Sequence, residues 1–125
     1  MINKLEAVRD ALAAISGVAS CKIGLEANIT PNSYPLIRIV PQRTFRTGTP
    51  YNNRTAECFI YFGVDKAEAK LGLEAVYSEL FGLEESIITV IKNQGDRYVE
   101  TLMDEDAVAG QYKVAAIRCE LVGTD

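Results

Sequence analysis

The 125-residue chain has no histidine, no tryptophan, only three cysteines and no long apolar run. Each shortage removes a class of chemistry. Without histidine there is no triad of the Ser-His-Asp or Cys-His type. Cys21, Cys58 and Cys119 are far apart, odd in number and form no CxxC pair, so the closely spaced thiolate and imidazole ligands of a zinc site are missing. Each lies in an apolar or alternating stretch and reads as a small buried thiol. The apolar runs are only a few residues long, well short of the roughly 20 that a spanning helix needs, so no membrane segment is expected. Lys4 and Glu6 stand where a secretory leader requires its apolar stretch, which points to a cytoplasmic product. Gly63, Gly72 and Gly82 are isolated and make no phosphate-binding or dinucleotide loop. Asp104-Glu105-Asp106 lacks the spaced oxygen ligands and central glycine of a calcium loop, and reads as a charged turn. No catalytic residue, cofactor or metal is expected, although carboxylates paired only in space leave no trace in sequence.

What is present describes one domain, residues 1–125. Hydrophobic content is 48% and charged content 24%, a globular balance, and the length suffices for a real core without disulfides. Ile2, Leu5, Val8, Leu12 and Ile15 recur at three- and four-residue steps, which predicts a helix over 2–16 released at Gly17. Short strands are expected at Val18–Ile23 and Tyr34–Val40, separated by a turn-rich stretch. A stronger strand spans Ala56–Val64, with Cys58, Ile60, Phe62 and Val64 on one face and Glu57, Phe59 and Tyr61 on the other. Large apolar groups on both sides predict a strand that is central or covered on both sides.

Asp65 and Glu68 form a capping-box-like start to a helix over 66–92, whose stripe runs Leu73, Val76, Leu80, Leu83, Ile87 and Val90. Gly72 and Gly82 within it suggest close packing or a bend. Strands at Arg97–Met103 and Gln111–Val122 close the chain around a hairpin turn. The order α-β-β-β-α-β-β predicts an α+β fold: an antiparallel sheet of about five strands with two helices on one face.

One segment does not look like core. Pro41–Thr55 joins two strong strands and is longer than a tight hairpin needs, the mark of a functional loop. Between Ala27 and Ala56 stand four arginines (Arg38, Arg43, Arg46 and Arg54) and no acid, whereas residues 57–125 hold six bases and fourteen acids. Phe45 and Tyr51 beside these arginines make the residue mix enriched at protein interfaces. The acidic remainder, with a pI near 4.9, opposes a polyanion and suits a neighbouring copy bound head-to-tail. Arg43, Phe45, Arg46, Tyr51 and Arg54 are therefore the expected interface residues. A solvated hairpin tip and a nucleic-acid contact remain as alternatives.

The pattern as a whole resembles the tail terminator (tail completion) proteins of long-tailed bacteriophages and their prophage relatives. The resemblance rests on the opening amphipathic helix, Tyr34-Pro-Leu-Ile-Arg-Ile-Val40 leading into a long loop, the strand Glu57-Cys-Phe-Ile-Tyr-Phe-Gly63, the long helix and a closing hairpin. It implies a non-enzymatic protein that forms a ring, commonly hexameric, capping the tail tube. The implied partners are other copies of itself, the tail tube and head-tail connector proteins, in the host cytoplasm and then the virion tail. The competing class is a ferredoxin-like small-molecule-binding regulatory domain. A third is a nucleic-acid-binding accessory protein acting through Arg43 and Arg46.

Overall fold

The apolar stripe of the first segment folds as expected, with Leu5, Val8 and Leu12 fully or nearly buried in α1 (Ile2–Ala13). The computed structural model describes residues 1–25, 33–47, 53–65, 73–103 and 112–123. The helix ends at Ala13, before the expected Ser16, because the chain tightens: the Ile15 amide donates to the Leu12 carbonyl, three residues back. Gly17 then takes a left-handed φ of 89°. Ile2 points outward, and Met1 fills the first core position instead.

The remaining elements are β1 (Ser20–Ile23), β2 (Leu36–Thr47), β3 (Asn53–Asp65), α2 (Leu73–Asn93), β4 (Arg97–Met103) and β5 (Tyr112–Gly123). Element types and order match the sequence reading; Asp65, the expected helix cap, is the last residue of β3, while residues 66–72, Glu68 and Gly72 among them, lie outside the described residues. The five strands form one sheet in the order β1-β2-β3-β5-β4. It is mixed rather than wholly antiparallel, because β1 pairs with β2 in parallel; every other pair is antiparallel. α2 carries the chain from β3 to the far edge, leaving room for β5 to insert between β3 and β4, a split β-α-β unit.

Both helices lie on one face. Ile37 and Ile39 of β2, the even-numbered residues from Ala56 to Val64 of β3, and Ala115, Ile117, Cys119 and Leu121 of β5 meet the two helical stripes in one core. β3 is central, as its composition suggests, but its second face carries only half-buried Phe59 and Tyr61. Towards β1 and β2 that second face is closed locally. Leu36 and Arg38 are buried there, and the Tyr34 ring packs so tightly on Gly63 that a Cβ would meet it at 3.0 Å. No helix among the described residues is long and apolar enough to cross a membrane.

The expected long loop at 41–55 is mostly strand. β2 continues to Thr47 and β3 begins at Asn53, forming a ribbon paired from Arg43–Glu57 to Thr47–Asn53. The physical reason is an edge. β1 pairs β2 only over Leu36–Ile39, so beyond that point Pro41 costs no ladder hydrogen bond, and the register shifts between Pro41 and Arg43 absorb it as a bulge. Thr44, Phe45, Thr47 and Thr55 favour extended backbone, whereas the exposed Gln42, Arg43, Thr44 and Arg46 among them resemble a loop.

Asp96 ties the layers together. α2 ends in a Schellman motif, with Gly95 N–H donating to Lys92 O at 3.1 Å and Asp96 N–H to Ile91 O at 3.0 Å. The Asp96 carboxylate then accepts the Val122 amide of β5 on Oδ1 at 2.9 Å. Its Oδ2 stands 2.9 Å from Lys4 Nζ of α1. That oxygen receives no well-directed hydrogen bond. At this distance the ammonium still compensates the charge, so the contact counts as an ion pair. Lys4 Nζ also donates to Gln94 O at 3.1 Å.

Removing the carboxylate leaves Lys4 and the Val122 amide without their partner. Asp96→Ala is expected to lower unfolding free energy by about 3 kcal/mol, read from urea midpoints; a loss within the scatter of surface substitutions would contradict the tie. Gly82, by contrast, is not held to glycine by close packing. A Cβ there meets nothing within 4 Å, so the expected close packing is not found. Gly82→Ala should stabilise by about 1 kcal/mol in the same assay.

Candidate functional site

Strand alternation sends half of each strand's side chains to the face the helices leave uncovered, and the register fixes which of them meet. One row across the sheet reads Arg43, Glu57, Glu120, Arg97; the next reads Val40, Phe59, Arg118, Glu100; a third reads Arg38, Tyr61, Ala116, Leu102. The charges close on one another. Arg43 grips Glu57 with two hydrogen bonds, Nε to Oε2 at 2.6 Å and Nη2 to Oε1 at 2.9 Å. Arg97 donates to Glu120 at 3.1 Å and Arg118 to Glu100 at 3.3 Å. The Arg43 guanidinium also lies 5.2 Å from the centre of the Phe45 ring.

Between these pairs the face is apolar. Phe59 and Tyr61 sit with ring centres 6.0 Å apart. Val99, Leu102 and Val122 expose 36%, 45% and 41% of their surface, half of the large exposed hydrophobic side chains among the described residues. Two bulges frame the face, one in β2 between Pro41 and Arg43, the other in β4 between Tyr98 and Glu100. Both flank the level of the central Cys58–Cys119 rung. Bulges strengthen local twist and bend the outer strands. Between them lies an open depression of about 450 Å³ with Gln42, Phe59, Val99 and Arg118 on its walls.

Glu57 and Glu120 are the spatially paired carboxylates that sequence could not reveal. Like charges directly opposite would repel, but each is capped by an arginine from an outer strand. The hydrogen bond from Arg43 holds the Glu57 carboxyl below its ordinary range, and the same bond raises the Arg43 guanidinium. A carboxylate kept ionised this way is no proton donor near neutrality, so the row acts as a neutral, hydrogen-bonded surface. Among the described residues no group of three or more acidic, cysteine or histidine side chains could hold a metal ion.

The expected interface residues do not form one patch. Arg43 and Phe45 lie on the uncovered face, whereas Arg46 and Arg54 oppose each other on the ribbon's other face. Arg54 donates to Thr44 at 3.2 Å, and Arg46 makes no ion pair among the described residues. Tyr51 lies outside the described residues. Arg38, counted with the basic segment, is buried in the sheet and donates to Ser20 Oγ and to Ile37 O. It therefore adds nothing to a basic surface. Sequence reasoning missed Glu57, Phe59, Glu100, Leu102, Arg118 and Glu120 as a set. The alternation was readable in each strand, but the register that joins them was not.

No protein-family model matches the chain, and no curated protein matches it either.

The cysteines take no part in this face. Cys58 and Cys119 form a cross-strand rung inside the core; burial pushes the Cys58 thiol up to about 12 and Cys119 higher still. Burial likewise raises Cys21 to about 11. Each starts from 9.0 when free. Above that value the unfolded chain sheds thiol protons that the fold retains, so stability is full below about pH 9 and falls as pH rises towards the folded values. Native protein at pH 8 should therefore leave Cys58 and Cys119 unreacted with a disulfide-exchange reagent, and denaturation should release them. Fast reaction of either native thiol would contradict the burial.

Proposed function

We propose that the protein is a non-enzymatic assembly protein whose uncovered sheet face packs against another protein. The observation that carries this reading is the face itself. It exposes Val99, Leu102 and Val122 among aromatic rings, while its arginines and glutamates are already paired within the chain. Covering such a surface costs less in desolvation than covering unpaired charges would, because its charges bring their hydrogen bonds with them. It offers an effector few unpaired polar groups to bind, which favours assembly over a small-molecule regulatory role. The element order also differs from the β-α-β-β-α-β of a ferredoxin-like domain.

The resemblance to phage tail terminators gives this reading its particular form. Copies of the chain would close into a ring on the head-proximal end of a tail tube, in the host cytoplasm and then in the virion tail. The test joins light scattering with electron microscopy of purified tail tubes. The expected result is a mass several times 13.7 kDa, in solution or on the tube end. Val99→Glu with Leu102→Glu, both at exposed positions, should weaken that association about tenfold or more by burying charge in the contact. A protein that stays monomeric and ignores tail tubes would overturn the proposal.

A further inference from the structure

The ribbon's second face poses a separate problem. Arg46 and Arg54 are direct cross-strand partners, a placement that destabilises a hairpin unless something anionic sits between them. The rung lies near the end of the β3–β5 ladder, where Arg54 pairs Gly123 and a Cβ on that glycine would meet Met1 and Lys4 at 3.4 Å. Asp96 at this end is already committed to Lys4, and neither arginine makes an ion pair among the described residues.

The opposite end of the sheet has the complementary surface. A groove of about 140 Å³ opens there between the chain following α1 and the side of α2. Ile15, Pro35, Val64 and Leu83 give it apolar walls, Gly82 leaves it open, and Glu79 stands in its lining. Glu74, Glu84 and Glu85 of the same helix, like Glu79, make no ion pair among the described residues, and Phe81 beside them is 46% exposed. Lys113 also lies at this end but is buried against the Tyr77 ring. An apolar trough carrying a carboxylate suits an arginine, whose stem packs on hydrocarbon while its head pairs with the acid.

Within one chain the two surfaces cannot meet. From Arg54 to Val64 the strand covers roughly 30 Å at about 3.3 Å per residue, some three Debye lengths at about 0.1 M salt. We propose that the Arg46–Arg54 rung of one copy docks in the Glu79 groove of the next. The contact is head-to-tail, so it propagates into a ring or filament. This rests on the assembly reading above and names a second contact, distinct from the uncovered sheet face.

Charge exchange tests it. Arg46→Glu with Arg54→Glu reverses the rung, and Glu79→Arg reverses the groove. In sedimentation equilibrium each variant alone should fall below the wild-type mass, and an equimolar mixture should regain it, which also shows that both fold. The wild-type assembly should dissociate as salt rises from about 0.1 to about 1 M. If either variant alone assembles like the wild type while Val99→Glu with Leu102→Glu does not, the groove proposal falls and the sheet-face reading stands. A wild type that binds tail tubes yet shows no self-contact has the same consequence. Rung-dependent binding of a random oligonucleotide by a protein that remains monomeric would also overturn it, in favour of a nucleic-acid partner.

Discussion

The Asp96 carboxylate fixes three segments that are distant in sequence. Its position is set by the Schellman turn that ends α2; its oxygens hold the last residues of β5 and the first turn of α1. Everything at that end of the molecule depends on this junction. The last residues of β5 pair with Arg54 and Thr55, so the carboxylate also sets the root from which the β2–β3 ribbon extends. A buried charge is a costly way to join elements, and the geometry here compensates it with an ammonium and a backbone amide. The gain is a defined angle between helical layer and ribbon, which an apolar contact would leave looser.

With one face of the sheet committed to the helices, the other has to be stabilised by its own side chains. It does so with ion pairs running across strands rather than along them. Arg43 holds β2 to β3, Arg97 and Arg118 hold β4 to β5, and the two central glutamates share the middle. Exposed pairs of this kind contribute little to stability, about 0–1 kcal/mol each. Their effect is to set the character of the surface: polar enough to remain in water, and neutral enough to be covered.

Much of the fold was legible in the sequence, because α2 and β5 each repeat their apolar residues at a single period over many positions. Three features were not. The parallel pairing of β1 leaves no mark in its four residues, since direction depends on the path of the chain and not on composition. The ribbon looked like a loop because beyond Ala56 its side chains leave the core, so the period-two signal vanished just where the strands leave the body. Arg38 looked like a surface charge because its burial comes from neighbours across the sheet. The site fared similarly: Arg43, Phe45, Arg46 and Arg54 were grouped on one expected loop, but strand alternation divides them between two faces. Asp96 read only as the residue after a helix-ending glycine.

The bulge beside Pro41 has a consequence of its own. A sheet that ends in a straight, fully hydrogen-bonding strand invites any extended chain to add on, without selectivity and with little reversibility. Here the outer margin of β2 is interrupted by a proline that has no amide to offer, by an extra residue at Gln42, and by the exposed side chains of Arg43 and Arg46. Backbone templating is blocked along the stretch where β1 no longer shields it. Any association made at this margin has to be read out through side chains, which makes it selective for its partner and reversible by salt.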